Sequence, residues 1–221
     1  MKNLLLLAVL SFWCCEAVSQ ETDSVRRTPD RWEPEIAAFG QPDAKHPPAR
    51  AIVFAGSSSI RFWTDLEKRF PRKTIVRRGF GGSEVSDLLH FADRIIVPYK
   101  PVKVFIYSGE NDITNGKTAE TVLADYRELT EKLRRDLPRC RIYILSLKPS
   151  PSRLPFIGEF RRVNAGLKKY LAATPNCTFV DVFTPMLGAD GKPRPELYGE
   201  DMLHLNKTGY DLWQRLLNKY L

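Results

Sequence analysis

Ala51-Ile52-Val53-Phe54-Ala55-Gly56-Ser57-Ser58-Ser59-Ile60 reads as a buried strand running straight into a helix. The apolar run Ala51 to Ala55 has no polar face for solvent, as expected of a strand covered on both sides within a parallel sheet. The pattern recurs downstream. Thr74 to Val76 is a weaker run, and Val102 to Tyr107, Arg141 to Leu147 and Thr178 to Val182 complete five candidate strands. Between them apolar residues recur at helical spacing: Val85, Leu88, Leu89 and Ala92; Val122, Tyr126, Leu129, Leu133 and Leu137, stopped by Pro138; then Phe156, Phe160, Val163, Leu167 and Tyr170. A last helix carries Tyr210, Trp213, Leu216 and Leu217. Strand and helix alternating five times imply an α/β three-layer sandwich on a five-stranded parallel sheet with right-handed crossovers. In such sheets ligands bind beyond the carboxyl ends of the strands, so each strand-to-helix loop is a candidate site.

Four of those loops carry residues suited to chemistry. Gly56-Ser57-Ser58-Ser59 puts serines at a helix start, where free N–H groups favour an anion, although serine is also a common helix cap. The segment is not the Gly-x-Ser-x-Gly elbow, because Ile occupies position 60. Gly79-Phe80-Gly81-Gly82-Ser83 allows a backbone N–H to approach a ligand closely, or simply makes a turn. Ser108-Gly109-Glu110-Asn111-Asp112 supplies an Asn whose amide suits a developing oxyanion, or an Asx-turn. Finally, Asp201-Met202-Leu203-His204 sets a carboxylate three residues before an imidazole, a spacing that lets Asp201 accept from the His204 ring and leave Nε2 free as a base. The chain has three histidines, and His46 and His90 lie in no comparable setting.

The remaining sequence bounds what the chain is. Its 221 residues suit one domain, and 43% hydrophobic with 27% charged residues is a globular composition. Met1-Lys2-Asn3 and the apolar run Leu4 to Cys15 read as a signal peptide over residues 1–19, too short for the ~20-residue helix a bilayer requires. Secretion or a periplasmic location follows as an expectation, with no transmembrane span in the mature chain. Residues 20–50 form a polar, proline-containing N-terminal extension in which Trp32, Ile36 and Phe39 predict a short packing helix. The net charge of +8 is scattered without a basic stripe, which argues against nucleic acid as partner. Of four cysteines, Cys140 and Cys177 lie outside the signal, at two strand starts, where an oxidising compartment makes a disulfide plausible. No Cys or His spacing supports a metal site.

Taken together, the four loops resemble, in order and spacing over roughly residues 50–220, the four blocks of the SGNH hydrolases, the GDSL-type esterase and lipase superfamily. The resemblance implies a flavodoxin-like fold over 51–221 and a Ser-His-Asp site. Ser58 matches the nucleophile, with Ser57 where the family has Asp and Arg77 where its second block opens with Asn. Ser58, Gly82 and Asn111 match the oxyanion donors, and Asp201 and His204 the last block. The implied activity is hydrolysis of carboxylic esters, short-chain acyl or acetyl groups on carbohydrate or lipid, through an acyl-enzyme and without metal or cofactor. Lysophospholipase or thioesterase action, acyl transfer to an alcohol, and a non-catalytic carbohydrate-binding role are the alternatives.

Overall fold

The structure, a computed structural model, describes residues 28–43 and 47–221. The expected signal peptide and His46 lie outside the described residues. In chain order the elements are α1 (Glu33–Asp43), β1 (Ile52–Gly56), α2 (Ser58–Arg61), α3 (Leu66–Arg69), β2 (Ile75–Gly79), α4 (Val85–Ile95), β3 (Lys103–Tyr107), α5 (Glu110–Thr114), α6 (Ala119–Asp136), β4 (Arg141–Leu145), α7 (Ile157–Ala172), β5 (Cys177–Val180) and α8 (Lys207–Leu217). The sheet is wholly parallel, in the order β2-β1-β3-β4-β5. It is an α/β three-layer fold of the flavodoxin-like kind, whose winding reverses between β1 and β3.

Alternation along each strand divides the core in two. Val53 and Ala55, Val104 and Ile106, and Ile142 and Ile144 face α4, α6 and α7. Ile52 and Phe54, Phe105 and Tyr107, and Tyr143 and Leu145 face α2, α3 and α8. This second face is an aromatic layer. Phe54 stacks on Phe105 at 4.7 Å and Phe105 on Tyr143 at 4.6 Å, while Trp63 and Trp213 meet edge to face at 5.9 Å above them. Helices that follow β1 and β5 cover one face and those that follow β2, β3 and β4 the other, as right-handed crossovers require when winding reverses.

Local chemistry sets the ends. Thr118 caps α6 by accepting from the Thr121 N–H, and the helix stops at Asp136, one residue before the Leu137-Pro138 pair. Asn206 caps α8 through the Gly209 N–H. Two details depart from the sequence reading. β2 continues through Arg77 and Arg78, because an edge strand tolerates charge: Arg77 reaches the Arg61 carbonyl at 2.6 Å, and Arg78 lies over the Phe39 and Tyr99 rings. Cys140 and Cys177 are free thiols. Register pairs Cys177 with Ile142, two positions beyond Cys140. That diagonal is about 8 Å between Cα atoms in an ideal parallel pair, beyond the ~7 Å reach of a disulfide.

Candidate active site

The winding reverses between β1 and β3, the place at which open α/β sheets bind ligands, and the carboxyl ends of both strands deliver candidate residues there. Gly56 ends β1 against β3 so closely that a Cβ would sit 1.9 Å from the Tyr107 carbonyl oxygen. The Ser57 N–H donates to that oxygen at 3.0 Å. Ser57 and Ser59 are thereby buried, and the Ser59 carbonyl accepts from Tyr210 Oη at 3.0 Å. Ser58, on the first turn of α2, is half-buried, and its Oγ lies 3.0 Å from His204 Nε2. Of the three serines, Ser58 is the one that faces the imidazole.

The other ring nitrogen, Nδ1, lies 2.5 Å from Asp201 Oδ2. Asp201 Oδ1 meanwhile accepts from the Leu203 and His204 N–H groups, both at 2.9 Å. A left-handed Met202, φ 53°, closes this turn. Burial works against the Asp201 charge, but the two N–H donors and the imidazole outweigh it and hold the carboxyl down at about 2. An ionised carboxylate can only accept, so Nδ1 carries the proton and Nε2 is left to accept from Ser58. Phe62 packs its ring edge-on to His204 at 4.8 Å.

Gly82 and Asn111 come from the next two loops. Gly82 has φ +77°, a conformation open to glycine and strained for other residues. Among the described residues no carbonyl accepts from the N–H of Gly82 or of Ser58. Asn111 Nδ2 donates one hydrogen to the Ser83 carbonyl at 3.0 Å, which fixes the amide beside the Gly82 turn with its second hydrogen unspent. Behind them Asp112, wholly buried, accepts from the Val85 N–H at 3.2 Å and from Lys117 Nζ at 3.0 Å. Burial pushes Asp112 up to about 6 against the pull of Lys117. Lys117 also reaches Asp125 at 2.7 Å and Glu84 at 3.1 Å, tying the Gly82 and Asn111 loops together.

The structure thus brings Ser58, Gly82, Asn111, Asp201 and His204 to one end of the sheet. His90 stands apart, exposed on α4. Sequence reading did not find the Lys117 cluster, whose Asp112 and Asp125 lie near in the chain but whose Glu84 comes from the preceding loop, or the buried Lys148–Glu110 pair beside Asn111, whose members lie 38 residues apart. The arrangement has the parts of a serine-type acyl-transfer site.

Comparison with known proteins gives the class its family. A model of the GDSL-like lipase/acylhydrolase family matches residues 36–212; the chain belongs to that family, within the SGNH hydrolase superfamily, and is a carboxylic ester hydrolase. It is 26% identical over 176 residues to the platelet-activating factor acetylhydrolase IB subunit alpha1 of Bos taurus, covering 77% of this chain and 74% of that protein. Its fold is similar to a GDSL-like lipase from Bacteroides thetaiotaomicron, with TM-score 0.71 and 22% identity over 87% of this chain and 96% of that one. A lipase/acylhydrolase from Enterococcus faecalis has TM-score 0.65 and 19% identity over 77% and 94% of the respective chains. Among the described residues no helix is long and apolar enough to cross a membrane.

Proposed function

We propose that the chain hydrolyses short acyl esters, acetyl above all, with Ser58 as nucleophile, His204 as base and Asp201 as its orienter. The observation that carries this reading is the His204 ring, held between Ser58 Oγ at 3.0 Å and Asp201 Oδ2 at 2.5 Å. Nε2 takes the Ser58 proton as Oγ attacks the ester carbonyl, and the imidazolium is stabilised by the Asp201 carboxylate. The oxyanion of the tetrahedral intermediate accepts from the Ser58 and Gly82 N–H groups and from the Asn111 amide. His204 then returns the proton to the leaving alcohol. Water, deprotonated by the same nitrogen, attacks the acyl-enzyme, and release of the acid restores Ser58.

Two observations favour a small acyl group on a larger alcohol. The catalytic pair is open, with 29% of the His204 and 50% of the Asp201 side chain exposed, so a bulky leaving group has room. The bovine relative's name specifies an acetyl ester. Exposed Phe62 and Met202, one against His204 and the other next to Asp201 in the chain, supply apolar surface for the non-sugar part of a glycolipid or for a lipid alcohol. Carbohydrate esters fit the same open geometry. We propose also that the chain is exported, on the signal-like pattern of residues 1–19.

The test is hydrolysis of p-nitrophenyl acetate, longer p-nitrophenyl esters and acetylated sugars by the wild type and Ser58→Ala, together with labelling by a fluorophosphonate. The expected result is acetate preference, loss of turnover in Ser58→Ala and a label on Ser58. Full activity in Ser58→Ala would overturn the assignment.

A further inference from the structure

The residues just ahead of α1 touch the Phe80–Ser83 turn, although they precede the segment 36–212 that defines the family match. Trp32 lies in the single 3-10 turn Pro29–Trp32 and is half-buried against Phe80, ring to ring at 5.6 Å and edge to face. Its six-membered ring closes over Gly82: a Cβ at that glycine would lie 3.3 Å from the Trp32 Cη2 atom. The indole N–H donates to Asp87 Oδ2 at 3.2 Å. Asp87 also accepts from the Glu84 N–H at 2.9 Å, in the capping box that starts α4 directly after the turn. Arg31 lies over the indole at 4.5 Å and 3.7 Å from the same carboxylate.

A second contact runs from the same segment towards the base. Glu35 pairs with Arg61 at 3.2 Å. The Arg61 side chain lies against Gly81, where a Cβ would come within 2.8 Å of its Nη1. Arg61 continues to the Phe62 ring, which packs on His204.

Three glycines within residues 79–82 make this turn conformationally permissive, and Gly82 sits at φ +77°. An oxyanion donor acts fully only when its N–H is held within about 0.5 Å of the productive position. Backbone bonds hold the ends of the turn, Phe80 N–H to the Gly56 carbonyl at 2.9 Å and Ser83 N–H to the Phe80 carbonyl at 3.4 Å, and neighbouring side chains supply rigidity at Gly81 and Gly82 between them. Trp32 is the aromatic ring in contact with Gly82, and its indole N–H bonds the capping residue that anchors the turn's far end.

We propose that Trp32 is a positioning residue for the ester hydrolysis: it clamps the Phe80–Ser83 turn so that the Gly82 N–H faces the reacting carbonyl. The N-terminal segment is then a working part of the site. This inference rests on the reading of Gly82 and Asn111 as oxyanion donors.

The experiment compares kcat, KM and Tm for the wild type, Trp32→Ala, Trp32→Phe, Ile36→Ala and Asn111→Ala on p-nitrophenyl acetate. Ile36, 2% exposed on α1, tests loosening of the helix while Trp32 itself is kept. Trp32→Ala is expected to lower kcat about tenfold, with KM within twofold of wild type. Trp32→Phe, which can keep an aromatic ring against Phe80 but loses both the Cη2 contact with Gly82 and the indole N–H to Asp87, should recover little of that loss, while Ile36→Ala lowers Tm and leaves kcat unchanged. Loss of kcat in Asn111→Ala with none in Trp32→Ala overturns the role of Trp32 alone. If neither loses kcat, the oxyanion reading fails and the clamp with it. Should Trp32→Ala not fold, hydrogen exchange across residues 79–84 in Trp32→Leu decides: acceleration there supports the clamp, and unchanged protection overturns it.

Discussion

Replacing Lys148 by Met would remove one ammonium from a place that water barely reaches. The Lys148 side chain is 1% exposed and that of Glu110 8%. Nζ lies 3.0 and 2.9 Å from the two Glu110 oxygens, with the Tyr107 and Tyr198 rings about it at 6.0 and 5.9 Å. Met keeps the length of the stem and the packing on both tyrosines. What changes is that the Glu110 carboxylate stays buried without its cation. Removing one partner of such a pair destabilises by about 3–5 kcal/mol, most of it the desolvation of the stranded charge. For a chain of this size each kcal/mol lowers Tm by about 2–4 °C, so a drop of roughly 10 °C is expected. Glu110 directly precedes Asn111, so turnover should fall as well. The double variant Lys148→Met/Glu110→Leu removes both charges and should recover most of the stability, since apolar replacement of a buried pair is close to neutral. Urea denaturation of wild type, single and double variants measures all three. A loss below about 1 kcal/mol in the single variant, or a double variant no better than the single, would refute the argument.

Other substitutions separate catalysis from stability. Asn111→Ala should lower kcat by about 10²–10³ on p-nitrophenyl acetate while giving up one hydrogen bond, to Ser83, of about 1 kcal/mol; a kcat within threefold of wild type would contradict the donor role. Asp201→Asn should lower kcat by as much as about 10⁴, because an amide no longer enforces the Nδ1–H tautomer. The same change probes stability. A carboxyl held at about 2 contributes stability that is present above its ordinary range near 4 and lost as pH falls through 2. With half of that side chain in solvent, screening leaves this contribution below about 1 kcal/mol. Urea midpoints at pH 5 and pH 2.5 should therefore fall slightly less in Asp201→Asn than in wild type, and an equal fall would show the carboxylate to be unshifted. Burial pushes the Cys140 thiol up to about 12 and the Cys177 thiol up to about 11, so both stay protonated near pH 8. A chromogenic disulfide reagent should label Cys140 and Cys177 slowly in the native Cys14→Ser/Cys15→Ser protein and at once in urea; fast labelling of these two thiols in the native state would contradict this.

Much of this molecule is local, and local features are the legible ones. Asp201 and His204 are three residues apart and bond within one turn, so their spacing alone announces the contact. The apolar runs of β1, β3 and β4, broken only by Lys103 and Arg141 at the first positions of the last two, follow from burial on both faces. β2 was readable for only part of its length because two arginines break its apolar pattern: Arg77 turns to the Arg61 carbonyl, while Arg78 is buried over the Phe39 and Tyr99 rings, a cover that no local spacing announces. Ser58 could be ranked above Ser57 and Ser59 by family pattern, but its direction depends on Gly56 and Tyr107, joined by sheet register. Lys148 and Glu110 lie 38 residues apart, and Trp32 and Asp87 lie 55 apart. No periodicity or spacing encodes such contacts, since they exist only after the strands have been ordered.

The turn that holds Asp201 and His204 is closed at its base as well: the Gly199 N–H donates to the His204 carbonyl at 2.8 Å, and Tyr198 bridges Leu205. His204 and Asp201, the proposed base and its orienter, therefore sit together as a cassette, joined to the serine loop by one hydrogen bond and the Phe62 contact. Damage to such a site divides into two kinds. A change within the cassette alters the imidazole's proton arrangement, while a change in how the sheet presents its loops alters only the gap to Ser58. Drift in the rest of the chain can thus retune reach without retuning basicity, a separation that lets one hydrolytic unit be kept while the walls around it diverge.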